Sequence, residues 1–234
     1  MRIAPLILFT GVVLLAPAAW AQDAEINEQA RAHFQAGVNS LQDPDGARYE
    51  EAYREFKAAY QSSPSWKILG NLGIAAMKLE RDGEAIEAFQ KYLAGGATQL
   101  APEEREQFQR DLGTLQAGVV KLSIDANLPG VTILDERVPV TGSAVRNTYV
   151  PDGQHLEIGV RAGHHKITAS APGYDAAVWE LEAVSGAGQA HTFELKRPVP
   201  VTGQGGAGAG GGSERPTPTG VYIGLAATGV FAVG

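Results

Sequence analysis

Three packing residues of this chain, Ala52, Phe56 and Ala59, recur as Ala85, Phe89 and Tyr92, each 33 residues further on. A fixed offset is the mark of a repeated structural unit. It constrains the fold more than any other feature, because a unit of that length cannot bury its own apolar face and must stack on a neighbour. The second copy runs from Trp66 to Leu93. Apolar or small residues fall at Trp66, Leu69, Leu72, Gly73, Ala76 and Leu79, then at Ala85, Ile86, Phe89, Tyr92 and Leu93, with charges between. This is the spacing of two amphipathic helices, and the break at Arg81, Asp82 and Gly83 predicts the turn between them. In the first copy Ile26, Ala30, Phe34, Gly37 and Leu41 form one stripe, stopped by Asp43-Pro44-Asp45-Gly46. Tyr49, Ala52, Tyr53, Phe56, Ala59 and Tyr60 form the next, stopped by Ser62-Ser63-Pro64. Residues 101–116 read as a capping helix, with Pro102 suited to a first turn, Glu103 and Glu104 complementing its dipole, and Phe108, Leu112 and Leu115 on the buried side.

Past Gly118, which is expected to end that helix, the period changes to two. Val120, Leu122 and Ile124 alternate with polar residues, as do Val131 and Ile133, then Leu156, Ile158 and Val160, then Ile167, Ala169 and Ala171, then Phe193 and Leu195. Trp179 and Leu181 suggest a further strand. Alternation means strands with one buried and one wet face. Pro129-Gly130, Pro151-Asp152-Gly153, Ala162-Gly163, Pro172-Gly173 and Ser185-Gly186 sit between the runs as turns. The chain is therefore expected to be α+β with two domains, a helical hairpin stack over 23–117 and a small antiparallel β-sandwich over 118–196. Only Gln116 and Ala117 separate the last helical stripe from Gly118. The sandwich is thus expected to sit at a fixed angle to the helices, with the flexible joint further on, at Arg197.

On these residues, 26–97 resemble two tetratricopeptide repeats. Gly73, Ala85 and Phe89 match the family's packing positions in the second, and Gly37, Ala52, Phe56, Ala59 and Pro64 do so in the first, which carries about three extra residues between its helices. Residues 118–196 resemble a PEGA domain, whose Pro-Glu-Gly-Ala turn keeps only its Pro and Gly here, in Leu128-Pro129-Gly130-Val131, followed by a Gly-Tyr turn at Gly173-Tyr174. The first resemblance implies a peptide-binding groove lined by the first helix of each pair. The second implies a small extracytoplasmic β module with no catalytic residues to carry over.

The ends are of different character. Residues 1–21 have one charge, Arg2, an apolar run from Ile3 to Leu15, and Ala19 and Ala21 flanking Trp20, the pattern of an export leader cleaved after Ala21. From Arg197 to Thr219 Gly and Pro dominate; as a flexible linker this stretch would span roughly 25 Å. Residues 220–234 are uncharged and read as the start of a membrane helix, which needs about 20 such residues to cross a bilayer. Together these predict an exported, periplasmic protein tethered to the bacterial inner membrane.

Composition and motifs narrow the chemistry. With 19 Lys and Arg against 26 Asp and Glu, net charge is −7, or −8 once Arg2 leaves with the leader, which argues against nucleic acid as a partner. There is no cysteine, hence no disulfide, thiolate ligand or thiol nucleophile. His164 and His165 are neighbours on an expected strand, so they point to opposite faces and cannot chelate one metal together. Gly203, Gly205 and Gly208 match a dinucleotide-binding pattern, but with no strand before and no helix after them. Asp43 and Asp45 with Glu50 and Glu51 read as a turn rather than a calcium loop, since Gly46 comes too early. No catalytic constellation, metal site or cofactor site is read.

Binding remains. By the repeat resemblance, Arg31, Phe34, Gln35 and Val38 would line a groove beside Lys67, Asn71, Ile74 and Lys78. Asn71 would bond a partner's backbone, Arg31, Lys67 and Lys78 would attract its carboxylates, and Phe34, Val38 and Ile74 would bury an apolar anchor. The expected function is a non-enzymatic adaptor for an acidic segment of another envelope protein. The alternative is a glycan- or peptidoglycan-binding β module with Trp179, Tyr174 and Tyr149 as stacking platforms.

Overall fold

The computed structural model describes residues 26–199. The leader read over 1–21, nearly all of the linker and the apolar run 220–234 lie outside them.

Five helices come first: α1 (Glu28–Leu41), α2 (Tyr49–Ser62), α3 (Trp66–Lys78), α4 (Asp82–Gly95) and α5 (Pro102–Gly118). Asn27 ties the first pair together. Its side-chain oxygen accepts from the Ala30 N–H at 2.8 Å, capping α1, while its amide donates to the Ser62 carbonyl at 2.8 Å, so the start of α1 lies at the end of α2. The two hairpins repeat one packing device. Gly37 of α1 lies against the Phe56 ring and Gly73 of α3 against the Phe89 ring, so closely that an added methyl group would come within 2.7 Å and 2.4 Å of them. Phe56 and Phe89 are fully buried; truncating either to Ala would cost about 3–5 kcal/mol.

A second pair of positions is exchanged in size. By the same offsets, Phe34 and Ala59 of the first hairpin correspond to Gly70 and Tyr92 of the second. Phe34 reaches the Phe56 ring at 5.4 Å, whereas in the second hairpin Gly70 makes room for Tyr92, with 3.0 Å from a would-be Cβ to the ring. The extra ring of Tyr92 is what α5 packs on. Phe108 meets Phe89 edge-on at 5.0 Å and Tyr92 at 4.5 Å, and the Tyr92 hydroxyl donates to Glu104 at 2.6 Å. Helices α3 and α4 are thus the middle layer, between α1–α2 and the capping helix α5.

Seven strands follow: β1 (Val120–Ala126), β2 (Thr132–Arg137), β3 (Val145–Tyr149), β4 (His155–Val160), β5 (Gly163–Ser170), β6 (Ala177–Ala183) and β7 (Gly188–Phe193). They form two sheets, β4-β1-β7 and β3-β2-β5-β6. Inward residues of both, among them Leu122, Ile124, Ile133, Ile167 and Phe193, make one core, and the helical residues make another. Past β7 the chain is pinned by Asn127, whose amide donates to the Leu195 carbonyl at 3.0 Å and whose oxygen accepts from the Leu195 N–H at 3.1 Å.

Four expectations are corrected. The sandwich is not wholly antiparallel, because β7 crosses over from β6 in the other sheet and runs parallel to β1. Alternation reports which face is buried but not which way a strand runs. Strand β3 was not read, because its inward residue in mid-strand is Asn147 rather than an apolar one. Gly118 does not end α5 but belongs to it. Gly83 likewise lies inside α4, so the α3–α4 turn is only Leu79 to Arg81.

Candidate functional site

That short turn is where the two halves of the molecule meet. Helix α3 closes with the Arg81 N–H bonded to the Ala76 carbonyl at 2.9 Å and the Glu80 N–H to the Met77 carbonyl at 3.2 Å. This closure requires a left-handed residue at Glu80, a place usually given to glycine, and Glu80 has φ 59°. Its carboxylate is held by two arginines from the sandwich. Arg137 donates through Nε and Nη2 at 2.6 and 2.5 Å, and Arg161 through Nη1 at 3.2 Å. Burial alone would raise the Glu80 pKa; the two guanidinium groups outweigh it and hold it below the usual carboxylate range.

Neighbouring contacts extend the joint. Asp82, 2% exposed at the first turn of α4, takes a bidentate pair from Arg161 at 2.8 and 3.1 Å. The Asn147 amide donates to the Leu79 carbonyl at 2.9 Å. The buried Arg81 guanidinium lies between two rings, Tyr53 of α2 at 4.8 Å and Tyr149 of β3 at 4.9 Å, and donates to Glu84 and to the Thr148 carbonyl. Tyr53 in turn donates to Glu84. Beneath, Gly83 of α4 and Gly159 of β4 bring their backbones together, and a Cβ on either would come to 2.7 Å from the other's main chain.

Behind Arg161 lies a buried histidine. His165 is 1% exposed; its Nε2 lies 2.7 Å from the Arg161 carbonyl and its Nδ1 2.7 Å from Asp135. A carbonyl and a carboxylate both accept, so both ring nitrogens are placed to donate, as those of an imidazolium do. Burial opposes that charge, but Asp135 and the Arg161 carbonyl outweigh it and raise the His165 pKa. His164 is exposed on the opposite face, as adjacency on a strand requires.

Beside the joint opens a cleft of about 1200 Å³. Its walls come from the first turns of α4, from β1 and β4, and from β6 and β7. Tyr149, Leu156, Ile158, Trp179 and Leu181 supply apolar surface, and Glu84, Glu87, Glu157, Glu180 and Glu182 supply carboxylates against Arg81 and Lys121. Trp179 stacks on His191 at 4.6 Å, and burial keeps that imidazole below its ordinary pKa.

The eight groove residues fall on the elements expected for them, Arg31, Phe34, Gln35 and Val38 on α1 and Lys67, Asn71, Ile74 and Lys78 on α3. Helix α2 packs against both. Phe34, Val38 and Ile74 are half-buried against the helical core, while Arg31, Gln35, Lys67 and Lys78 are exposed. Gln35 bonds Asn39 at 3.0 Å, and the Lys67 ammonium lies 5.6 Å from the Trp66 ring centre. Of the three aromatics considered for glycan, Tyr149 and Trp179 line the cleft and Tyr174 does not. Tyr149 lies under Arg81, Tyr174 lies 5.6 Å from the Arg197 guanidinium, and Trp179 faces His191.

The joint itself was missed from sequence. The break read at Arg81, Asp82 and Gly83 marks the turn but not what closes on it, and Arg137, Asn147 and Arg161 belong to no pattern in the sequence. His165 carried a signal, since it is in phase with inward Ile167 and Ala169. No group of three His, Asp or Glu among the described residues could hold a metal ion, and no described helix is long and apolar enough to cross a membrane. No protein-family model matches the sequence, and no curated protein is similar to it.

Proposed function

We propose that this chain is a non-enzymatic adaptor that binds an acidic segment of another protein along α1 and α3. The observation that carries this reading is the repeated packing of Gly37 on Phe56 and Gly73 on Phe89, which sets α1 and α3 into their hairpins in the same way. Equivalent first helices are what a peptide groove of the tetratricopeptide kind needs. The half-buried Phe34, Val38 and Ile74 would anchor an apolar residue, Asn71 would bond the partner's backbone, and Arg31, Lys67 and Lys78 would draw its carboxylates. The β region, read as PEGA-like, is the second half of the same body. The leader-like start and apolar end of the sequence suit an exported, periplasmic protein held at the inner membrane. Binding to an array of acidic peptides tests the groove: Lys67→Glu and Asn71→Ala should each weaken it, and binding unchanged by both would overturn it.

A glycan-binding β module is the second reading, favoured by one observation, that Trp179 lines the cleft beside the joint. Retention of the intact chain on purified cell wall, lost in Trp179→Ala, would support it against the groove.

A further inference from the structure

We propose that the cleft between β6 and β7 takes an extended, basic segment of a partner protein, which pairs as an added strand along an open sheet edge. Strand β6 is outermost in the four-stranded sheet and β7 outermost in the three-stranded one, and both border the same cleft. They diverge from a tight turn in which the Ala187 N–H meets the Val184 carbonyl at 3.1 Å. An open edge presents main-chain donors and acceptors in a row, the template that an extended peptide completes. One such acceptor is already used across the gap, where the Gln189 side-chain amide donates to the Glu182 carbonyl at 2.9 Å. The fixed polar group of a side chain stands there where a strand's N–H would stand.

The chemistry of the walls selects the occupant. Along β6, buried Trp179 and Leu181 alternate with exposed Glu180 and Glu182, so a partner strand alternating apolar and cationic residues matches the wall at period two. Glu157 of β4 adds a further carboxylate, 80% exposed, and Lys121 is the exposed cation of the lining. This surface is opposite in charge to the groove read on α1 and α3, so the two would take different partners, or different stretches of one.

The test uses the full chain and a fluorescein-labelled eight-residue peptide of alternating Val and Lys, followed by anisotropy at physiological salt. The proposal expects the peptide to bind and its Val-Glu counterpart not to bind. Glu180→Lys with Glu182→Lys should weaken binding at least tenfold. Glu103→Lys with Glu106→Lys, the same change of net charge on exposed α5 positions, should change it less than twofold, as should Lys67→Glu. Amide hydrogen exchange should slow along β6 or β7 when peptide is present. If the double β6 variant fails to fold, Glu180→Gln alone should weaken binding about threefold. Absence of binding, equal loss from the α5 variant, or unchanged binding by the β6 variants would overturn the proposal; equal loss from the α5 variant would show attraction to net charge alone.

Discussion

Glu80 is held in a backbone conformation that costs an L-residue about 1–2 kcal/mol, and its carboxylate is what offsets that cost. Two arginines from the β region close on it, with Glu80 and Arg137 side chains only 14% and 13% exposed. Removing the Glu80 carboxylate strips the covered Arg137 of the group it pairs with, while Arg161 keeps Asp82. Glu80→Ala should therefore lower unfolding free energy in urea by about 3 kcal/mol. Glu80→Gly should lower it by about 1 kcal/mol less, because glycine accepts the left-handed geometry. Equal losses would mean the turn is not strained. His165 gives the joint a pH dependence. Its folded pKa is raised above the unfolded value of about 6.5. Its contribution is thus complete below that value and is lost as pH rises through the folded pKa. The stability difference between wild type and His165→Gln should accordingly be largest near pH 6 and shrink by pH 9. A difference that stays flat across this window would show that the ring is neutral.

Elements were legible in proportion to how apolar their buried faces are. All five helices and five of the seven strands follow from the spacing of residues such as Phe56, Phe89, Leu122 and Ile167, since burial of apolar side chains sets that spacing, while the run at Phe193 and Leu195 meets β7 only at its last residue. Strand β3 escaped because Asn147, its inward residue in mid-strand, bonds a helical main-chain carbonyl and interrupts the inward face between Val145 and Tyr149. The joint escaped for the same reason: charged residues at a helix turn read as solvated, and only the fold shows that Arg137 and Arg161, 57 and 81 positions away from Glu80, arrive to pair with it. Periodicity gave the helices α1 and α3 and the repeat resemblance the eight residues proposed on them, while the cleft between β6 and β7 depends on strand order, which periodicity does not encode. At the contact between α4 and β4 no side chain intervenes, so Gly159→Ala should force the backbones apart and cost about 2 kcal/mol. Gly113→Ala, where nothing lies within 4 Å, should be neutral or stabilising by up to about 1 kcal/mol. Thermal unfolding of the two variants would compare them directly, and equal melting temperatures would remove the tight contact from the account.

Across the described residues two apolar cores are joined by a polar seam rather than by a continuous core. A seam of this kind could be a hinge if it were exposed, but Arg81, Asp82, Asp135, Asn147 and His165 are all buried in it. Its ion pairs are directional, since Glu80 and Asp82 are each engaged by more than one donor atom. The covalent link is equally short, with Val119 alone between α5 and β1. The helical stack and the sandwich therefore act as one body, which fixes α1 and α3 relative to the cleft between β6 and β7. Backbone amide residual dipolar couplings measured on the full chain in a weakly aligning medium test this most directly. One alignment tensor should fit residues 28–118 and 120–193 together in the orientation described, and two tensors of different magnitude or direction would contradict it.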